Sequence, residues 1–552
     1  MAKKATTVIL SLCVSAALLA ACSNSNGNSQ HEASNTGTNT NDVAASNEVD
    51  PSNPAFSAYK EPVTIHTVTS EYASAKYPEG DDITNNVWIR RYKEKLNIDV
   101  KTDWVSDEYD TKLNLAISSN NLPDVFKVNA SQLQQLIEAD MVMDLTTVFD
   151  TYASERLKGY MEADADSYES GKKDGKLFGI PQLHWGLIEQ PDFLWIREDW
   201  KQELGLADPQ SVDDIKNIAL TFMDKHGGYG IAVDQTLDYL NLLAIAWNAH
   251  PDMWIEDGSG KLVYGSTQPE MKAALAEWAD WYKQGIIDPE FAIKDFSAMN
   301  ADVVAGKVGV QPYYQWWGYN PGVDTVSNLG KDAIFYPYMI PTVDGKEAKH
   351  SIFFANGSYT VIKKGFKNPE AIIKILNDYA YIVDEGVGKE SEETLSALLD
   401  NDIAHVVGAF RVLNPNSDYE QYEAVSAALQ SKDTAGLTTA GMWQKYNNSV
   451  AFIDKATPGA AGDYLQQGAP KTAYGLAKKV LDSRNYIKTA LWGATPEVMA
   501  SYGTTLDDIL TEGFTKIIMG TESIDYFDTI VQNWRTAGGD TAAEAVNEVY
   551  GK

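Results

Sequence analysis

At 552 residues the chain is too long for one ordinary hydrophobic core, so two or three domain-sized units are expected. Its composition, with 44% hydrophobic and 22% charged residues, is that of a globular protein. The formal net charge of −32 argues against a nucleic-acid partner, because binding to a polyphosphate requires a basic face.

The N-terminus has the pattern of a secretory signal. Two lysines precede an apolar run from Val8 to Ala21, which is too short to span a bilayer comfortably as a permanent helix. The run ends in Leu-Ala-Ala-Cys22, which resembles the bacterial lipobox. We therefore predict a signal peptide over 1–21 and acylation of Cys22. Cleavage would remove Cys13, so no disulfide is expected within the mature chain.

Residues 22–59 are rich in Ser, Asn, Thr and Gly, a composition typical of a flexible tether. A tether directly after a lipid attachment site would hold a folded domain clear of the membrane. The protein is therefore expected on the extracellular face of the cell membrane, held there by its lipid anchor only.

The first folded elements alternate between strands and helices. Strands are predicted at Glu61–Thr69, at Ile98–Val100 and from Pro123 to near Asn129, with helices from about Asn85 and over Tyr109–Ser119. This order indicates an α/β fold with a mostly parallel sheet. Ligands of such sheets lie beyond the carboxyl ends of the strands, which makes Glu71 and Asn129 candidate ligand contacts.

A short strand at Phe178–Pro181 follows, and His184 and Trp185 stand at its exit as further candidates. A strand is predicted at Phe193–Arg197. Helices are predicted at Ser211–Lys225 and Thr236–Ala249. Trp247 lies near the end of the second of these helices, where a core position and a ligand contact are equally compatible with the pattern. Helical spacing places other tryptophans in the core, namely Trp254, Trp278, Trp281 and Trp534.

Five aromatic residues lie within the seven positions from Tyr313 to Tyr319. Flat rings beside amide side chains suit a sugar, although a core strand end is the alternative interpretation. On an extended backbone Trp316 and Trp317 point to opposite sides, so one of them is expected to contact ligand. We favour Trp317, because Gly318 lets ligand and backbone approach closely. Tyr314 is a further candidate.

Several longer motifs resemble the extracellular solute-binding proteins of carbohydrate ABC importers, in particular the large lipoprotein subgroup of Gram-positive bacteria. The motifs cover nearly all of the mature chain and include Leu122–Val125, Asp174–Pro181, Trp195–Gly205, Asp257–Gly265, Trp281–Phe291, Ala305–Val310 and Phe514–Gly520.

The resemblance implies an α/β, two-lobed, periplasmic-binding-protein-like fold of type II with an interlobe cleft and a helical C-terminal region. Lobe 1 would comprise 60–180 and a return segment 355–488, lobe 2 would comprise 181–354, and 489–552 would be the helical segment. Crossing strands are expected near Phe178–Gln182, Phe353–Thr360 and Ile487–Trp492. Asn356 and Trp492, on two of these crossings, complete the candidate ligand contacts.

No zinc-binding His pair, nucleophile elbow or phosphate-binding loop occurs in the sequence, so neither an enzyme, a metal nor a cofactor is expected. Some relatives carry a calcium loop, but here the corresponding region, Asp224–Gly230, has too few oxygen ligands. The expected function is capture of an oligosaccharide by a monomeric receptor and delivery to the transmembrane subunits of an ABC permease. A receptor for peptides or other small solutes, and a cell-surface glycoside-degrading enzyme, are the alternatives.

Overall fold

A computed structural model describes residues 50, 52–71, 76–184, 186–399, 410–493 and 495–551. The predicted acylation of Cys22 and the predicted ligand contact by Trp185 lie outside these residues. No helix within these ranges combines the length and hydropathy needed to cross a membrane.

The strands of the described residues are, in chain order, β1 (Val63–Ser70), β2 (Ile98–Ser106), β3 (Val125–Val128), β4 (Lys172–Lys173), β5 (Lys176–Leu177), β6 (Gly179–Pro181), β7 (Asp192–Arg197), β8 (Tyr229–Ile231), β9 (Trp254–Glu256), β10 (Leu262–Tyr264), β11 (Val308–Tyr314), β12 (Phe335–Tyr338), β13 (His350–Ile352), β14 (Tyr359–Ile362) and β15 (Tyr486–Lys488).

The α-helices are α1 (Val87–Arg91), α2 (Tyr109–Ser118), α3 (Ala130–Glu138), α4 (Thr146–Tyr152), α5 (Glu155–Ala163), α6 (Ala165–Ser170), α7 (Glu198–Glu203), α8 (Val212–His226), α9 (Asp238–Asn241), α10 (Pro269–Lys283), α11 (Phe296–Val304), α12 (Gly322–Leu329), α13 (Glu370–Glu385), α14 (Glu392–Leu398), α15 (Ser417–Ser431), α16 (Ala440–Lys455), α17 (Ala461–Asp463), α18 (Ala473–Ser483), α19 (Glu497–Ile518), α20 (Tyr526–Trp534) and α21 (Asp540–Tyr550).

The first lobe is built on two small sheets. β1 and β2 pair in parallel, as the strand–helix–strand pattern predicts. β14 lies between β3 and β6 and is antiparallel to both, so the prediction of a mostly parallel sheet is wrong for this part of the lobe. The reason is that β14 comes from a segment of chain that returns from the second lobe, which local periodicity does not report.

Helix α13 crosses the first lobe and fixes the end of the expected tether. Ile372, Ile375 and Tyr379 are buried in the same core as Tyr59. The Lys374 ammonium donates to the carbonyl oxygen of Ser57 at 2.8 Å. The last residues of the 22–59 segment are therefore docked on the first lobe, and the tether ends earlier than predicted.

The second lobe is built on a four-stranded sheet in the order β12-β7-β11-β8. β7 is antiparallel to β11 and β12, while β8 is parallel to β11. Every residue of β7 is buried, because the sheet is covered on both faces. Leu194 and Ile196 join the core formed with α8 and α10, whereas Phe193 and Trp195 face a second core beneath the aromatic run.

The C-terminal third packs on the second lobe. Tyr474 and Ala477 of α18 join the core beneath the aromatic run. Phe514, Phe527 and Trp534 join the core that contains α10. Within the segment 355–488, α13 packs in the core of the first lobe, whereas α18 packs against the sheet of the second lobe. The core positions predicted for the four tryptophans outside the candidate site are confirmed.

Three stretches connect the lobes within the described residues. Residues 182–191 and 353–358 lie side by side, with the Gln182 amide donating to the Ser358 carbonyl oxygen at 3.0 Å. The third stretch is 410–416, whose Leu413 amide donates to the Gln182 carbonyl oxygen at 2.8 Å. The third crossing expected near Ile487–Trp492 is wrong, because β15 pairs with β13 at the edge of the second lobe.

Candidate ligand-binding site

A cavity of about 460 Å³ lies between the two lobes. Its first-lobe wall is the junction of α5 and α6, at residues 162–167. Its second-lobe wall includes residues 186–188 and the start of α15 near Tyr419. Phe353 and Ala355, on one of the connecting stretches, close the cavity between these walls. We call this space the larger cavity.

The first-lobe wall of the larger cavity is acidic. Glu162, Asp164 and Asp166 all line it. Asp164 caps α6 by accepting from the Ser167 amide at 3.1 Å, and Asp166 pairs with the Lys488 ammonium at 2.9 Å. Both partners of this ion pair are exposed, the Lys488 side chain to 36% and that of Asp166 to 57%.

Two of the predicted contacts, His184 and Trp492, line the larger cavity. The His184 Nε2 lies 3.8 Å from a carboxylate oxygen of Glu189. Burial lowers the pKa of His184, which favours the neutral ring. The Trp492 ring packs against Phe354 with centroids 5.2 Å apart, and the Lys488 ammonium lies 4.8 Å from its centre.

Glu189, which lies beside His184, forms a buried carboxyl pair with Asp418. Burial and the negative charge of Asp418 raise the pKa of Glu189 well above its usual value. Although burial also acts on Asp418, the Lys445 ammonium 2.9 Å away keeps the pKa of Asp418 below its usual value. Glu189 is therefore biased toward its protonated form and Asp418 toward its ionised form.

A second, smaller cavity of about 60 Å³ adjoins the larger one at Phe353, which lines both. We call it the aspartate pocket, and its lining comprises Asp192, Asp238, Asn241, Leu242, Ile245, Pro251, Asp252, Tyr314, Ser351 and Phe353. Burial raises the pKa of Asp192, Asp238 and Asp252. Tyr314 is the member of the aromatic run that reaches either cavity.

The structure corrects the roles expected for the two adjacent tryptophans. Trp317 is fully buried, with its ring stacked on Trp195 at a centroid distance of 5.1 Å. Its Nε1 donates to the Gln311 side-chain oxygen at 2.7 Å. Trp317 is therefore the anchor, and its expected role as the ligand platform is wrong. Trp316 is partly exposed and stacks on Tyr314 with centroids 5.8 Å apart, so it supports a ring of the aspartate pocket.

The remaining predicted contacts lie outside the two cavities. Trp247 is in the core, 7% exposed, with its ring edge-to-face against those of Trp278 and Trp281. Asn129 caps α3 in a reciprocal pair with Gln132, and Glu71 is exposed beyond β1. Asn356 is 4% exposed and lies beside the Tyr359 hydroxyl. These four residues line neither cavity.

Residues 70–380 match the family model described as bacterial extracellular solute-binding protein. The chain belongs to this family. Members are receptors rather than enzymes, which removes the glycoside-degrading enzyme from the alternatives. The interlobe position of the larger cavity agrees with that membership, since two-lobed receptors enclose their ligand between lobes.

Curated relatives of this solute-binding protein are distant. Lipoprotein LipO of Bacillus subtilis is 22% identical over 472 residues, which cover 82% of this chain and 86% of LipO. The polygalacturonan/rhamnogalacturonan-binding protein YtcQ of the same organism is 21% identical over 491 residues, covering 84% and 87% of the two chains.

Solved structures share the fold across most of the chain. The alginate-binding protein AlgQ2 without calcium ion superposes with a TM-score of 0.57 at 16% identity, covering 89% of this chain and 99% of that one. A Bifidobacterium longum infantis solute-binding protein described as binding HMO gives a TM-score of 0.58 at 12% identity, with coverage of 89% and 98%. The two-lobed periplasmic-binding-protein-like fold expected from the sequence is thereby confirmed.

The sequence did not single out several residues that line the cavities of this solute-binding protein. Tyr419 belongs to an amphipathic helix, α15. Asp192 is the first residue of the buried strand β7. Asp164 and Asp166 lie at the start of the short helix α6. A usable signal was present at Asp192, because a charged residue that opens an otherwise apolar strand needs an explanation.

Proposed function

We propose that this solute-binding protein is a lipid-anchored receptor that captures an oligosaccharide in its interlobe cleft and delivers it to the transmembrane subunits of an ABC permease. The observation that carries the proposal is the larger cavity between the lobes. Its volume of about 460 Å³ falls in the range of small-molecule sites, and rings alternate with polar groups in its lining.

The lining suits a ring-shaped ligand with many hydroxyl groups. Phe353 is 37% exposed and lines both cavities, so its face is available to an apolar face of a sugar. The amide groups of Gln190 and Asn416 and the carboxyl group of Glu162 line the same cavity and offer hydrogen-bond partners for hydroxyl groups.

The names of relatives point in the same direction. YtcQ is named for binding polygalacturonan and rhamnogalacturonan. A Streptococcus pneumoniae relative, FusA, is 22% identical over 333 residues, covering 56% of this chain and 58% of FusA, and is named as the substrate-binding protein of a fructooligosaccharide ABC transporter. Both names support a saccharide ligand for this chain, and the name of FusA also supports a permease partner.

A thermal-shift panel of oligosaccharides and oligopeptides, followed by calorimetric titration of every hit, tests the proposal. A ligand at a hundred times its dissociation constant should raise the free energy of unfolding by about 2.7 kcal/mol. Hits among saccharides support the proposal. Hits confined to peptides would instead establish the alternative receptor class.

A matched pair of phenylalanines locates the site. Phe353→Ala should weaken saccharide binding about tenfold or more, because a stacking face is lost. Phe56, 38% exposed, lines neither cavity, so Phe56→Ala should leave the affinity unchanged. Equal affinities of the two variants would place the site elsewhere.

The lipid anchor is a separate part of the proposal. We propose acylation of Cys22 because the residues before it resemble a lipobox and those after it form a polar stretch. Mass spectrometry of the native N-terminus should show a diacylated Cys22, and Cys22→Ser should release the protein from the membrane fraction. An unmodified mature chain that begins at another residue would contradict this part.

A further inference from the structure

The aspartate pocket contains a carboxylate that the protein itself does not satisfy. Asp192 is 3% exposed, and its Oδ1 has no hydrogen-bond partner among the described residues. The residue opens β7 opposite Tyr314 of β11, so its backbone is fixed by the sheet. A rigid strand therefore holds an unsatisfied acceptor against the pocket.

A second side-chain oxygen of this pocket also lacks a hydrogen-bond partner within the described part of the chain. The Asn241 amide nitrogen donates to Asp252 at 3.4 Å, which leaves the buried side-chain oxygen of Asn241 without a partner. Ser266 also donates to Asp252, at 3.1 Å. Because a buried acceptor without a donor is costly, the pocket is suited to a molecule that brings hydroxyl donors with it.

The charge of the pocket restricts what that molecule can be. No Lys or Arg belongs to the described lining of the aspartate pocket. In the described lining of the larger cavity, Lys488 is the one such side chain, and Asp166 pairs with it. A carboxylate or sulfate on the ligand would lose its hydration in the aspartate pocket, and no Lys or Arg in the described lining of that pocket could pair with it.

We propose that the aspartate pocket is a specificity subsite, in which Asp192 accepts hydrogen bonds from hydroxyl groups of an uncharged sugar ring. Because its described lining holds no Lys or Arg, the same pocket disfavours saccharides that carry carboxylate or sulfate groups. This inference rests on the proposed function and deepens it by naming the class of saccharide. It separates this chain from YtcQ, whose name records an acidic polysaccharide as ligand.

Titration calorimetry with paired neutral and acidic oligosaccharides tests the inference. The pairs are galacto-oligosaccharides with oligogalacturonides, and xylo-oligosaccharides with their glucuronic-acid-substituted forms, at equal chain length. We expect binding of a neutral member and at least about a hundredfold weaker binding of its acidic partner. An acidic oligosaccharide that binds as tightly as its neutral partner, or more tightly, overturns the inference while leaving the proposed function intact. Failure of every saccharide in the wider panel overturns both.

Two isosteric variants connect the selectivity to the pocket. Asp192→Asn should weaken binding of the neutral ligand about tenfold or more, because the amide offers one acceptor oxygen where the carboxyl group offers two. Asp234→Asn is the matched control, since Asp234 is also 3% exposed with an unpartnered Oδ1 but lines neither cavity. Unchanged affinity in Asp192→Asn, or an equal loss in both variants, overturns the assignment of Asp192 to ligand.

Discussion

Replacing Trp317 with alanine distinguishes an anchoring role from a ligand-binding role for the centre of the aromatic run. The side chain is fully buried and packs between Trp195 and Phe335, with ring centroids 5.1 and 4.5 Å away. Its Nε1 supplies a hydrogen bond to Gln311, which is itself 0% exposed. The substitution therefore removes both core volume and the donor to a buried amide oxygen.

The expected loss of stability is large. Truncation of a buried tryptophan costs about 3–5 kcal/mol, and the unsatisfied Gln311 oxygen adds about 1 kcal/mol. We expect Trp317→Ala to lower the free energy of unfolding by about 4–6 kcal/mol. Trp317→Phe keeps most of the ring and removes the donor, so it should cost about 1–3 kcal/mol.

Urea unfolding followed by circular dichroism measures these differences, and Trp316→Ala provides the comparison. Because Trp316 is partly exposed, its truncation should cost clearly less than that of Trp317. The reasoning is refuted if Trp317→Ala unfolds within about 1 kcal/mol of the wild type, or if Trp316→Ala is the more destabilised of the two.

Three further substitutions test other parts of the structure. Arg91→Met should lower the free energy of unfolding by about 3–5 kcal/mol, because it leaves the carboxylate of Asp378, paired at 2.7 Å, buried without its partner. Gly186→Ala should lower the melting temperature and the affinity for ligand, because its φ is +105° and an added Cβ would lie 1.8 Å from the Pro415 carbonyl oxygen beside the larger cavity. Burial lowers the pKa of His350 to about 4, so folding is opposed as the unfolded chain takes up this proton below about pH 6.5. His350→Leu should therefore reduce the loss of stability between about pH 7 and pH 4.5 by about 2–3 kcal/mol.

The first two substitutions have control variants, and the third has an outcome that would contradict it. A double replacement of Arg91 and Asp378 by apolar residues should recover much of the stability lost in Arg91→Met. Gly357→Ala, also on a connecting stretch but with nothing within 4 Å of the added Cβ, should leave both melting temperature and affinity near those of the wild type. A His350→Leu variant whose unfolding free energy falls with pH as steeply as that of the wild type would show that this ring does not titrate as argued.

Much of the architecture follows from the sequence, because periodicity reports which residues of one element face the core. The alternation in β1 and the helical spacing of Trp278 and Trp281 place these residues correctly. The order of short motifs along the chain also indicates the two-lobed fold, since such motifs mark turns and helix ends that this fold requires.

Tertiary structure alone decided which residues reach the cavities. The walls of the larger cavity come from residues as far apart as Glu162 and Trp492, and no local pattern reports that they meet. The sequence predicts that the side chains of Trp316 and Trp317 point to opposite sides of the backbone. Which of the two is buried depends on Trp195 and Phe335, which come from other strands. The sequence shows a charged residue, Asp192, at the start of an apolar strand, but only the structure places Asp238 and Asp252 around the same pocket. Local sequence specifies the faces of an element, whereas the space left between lobes depends on how distant elements pack.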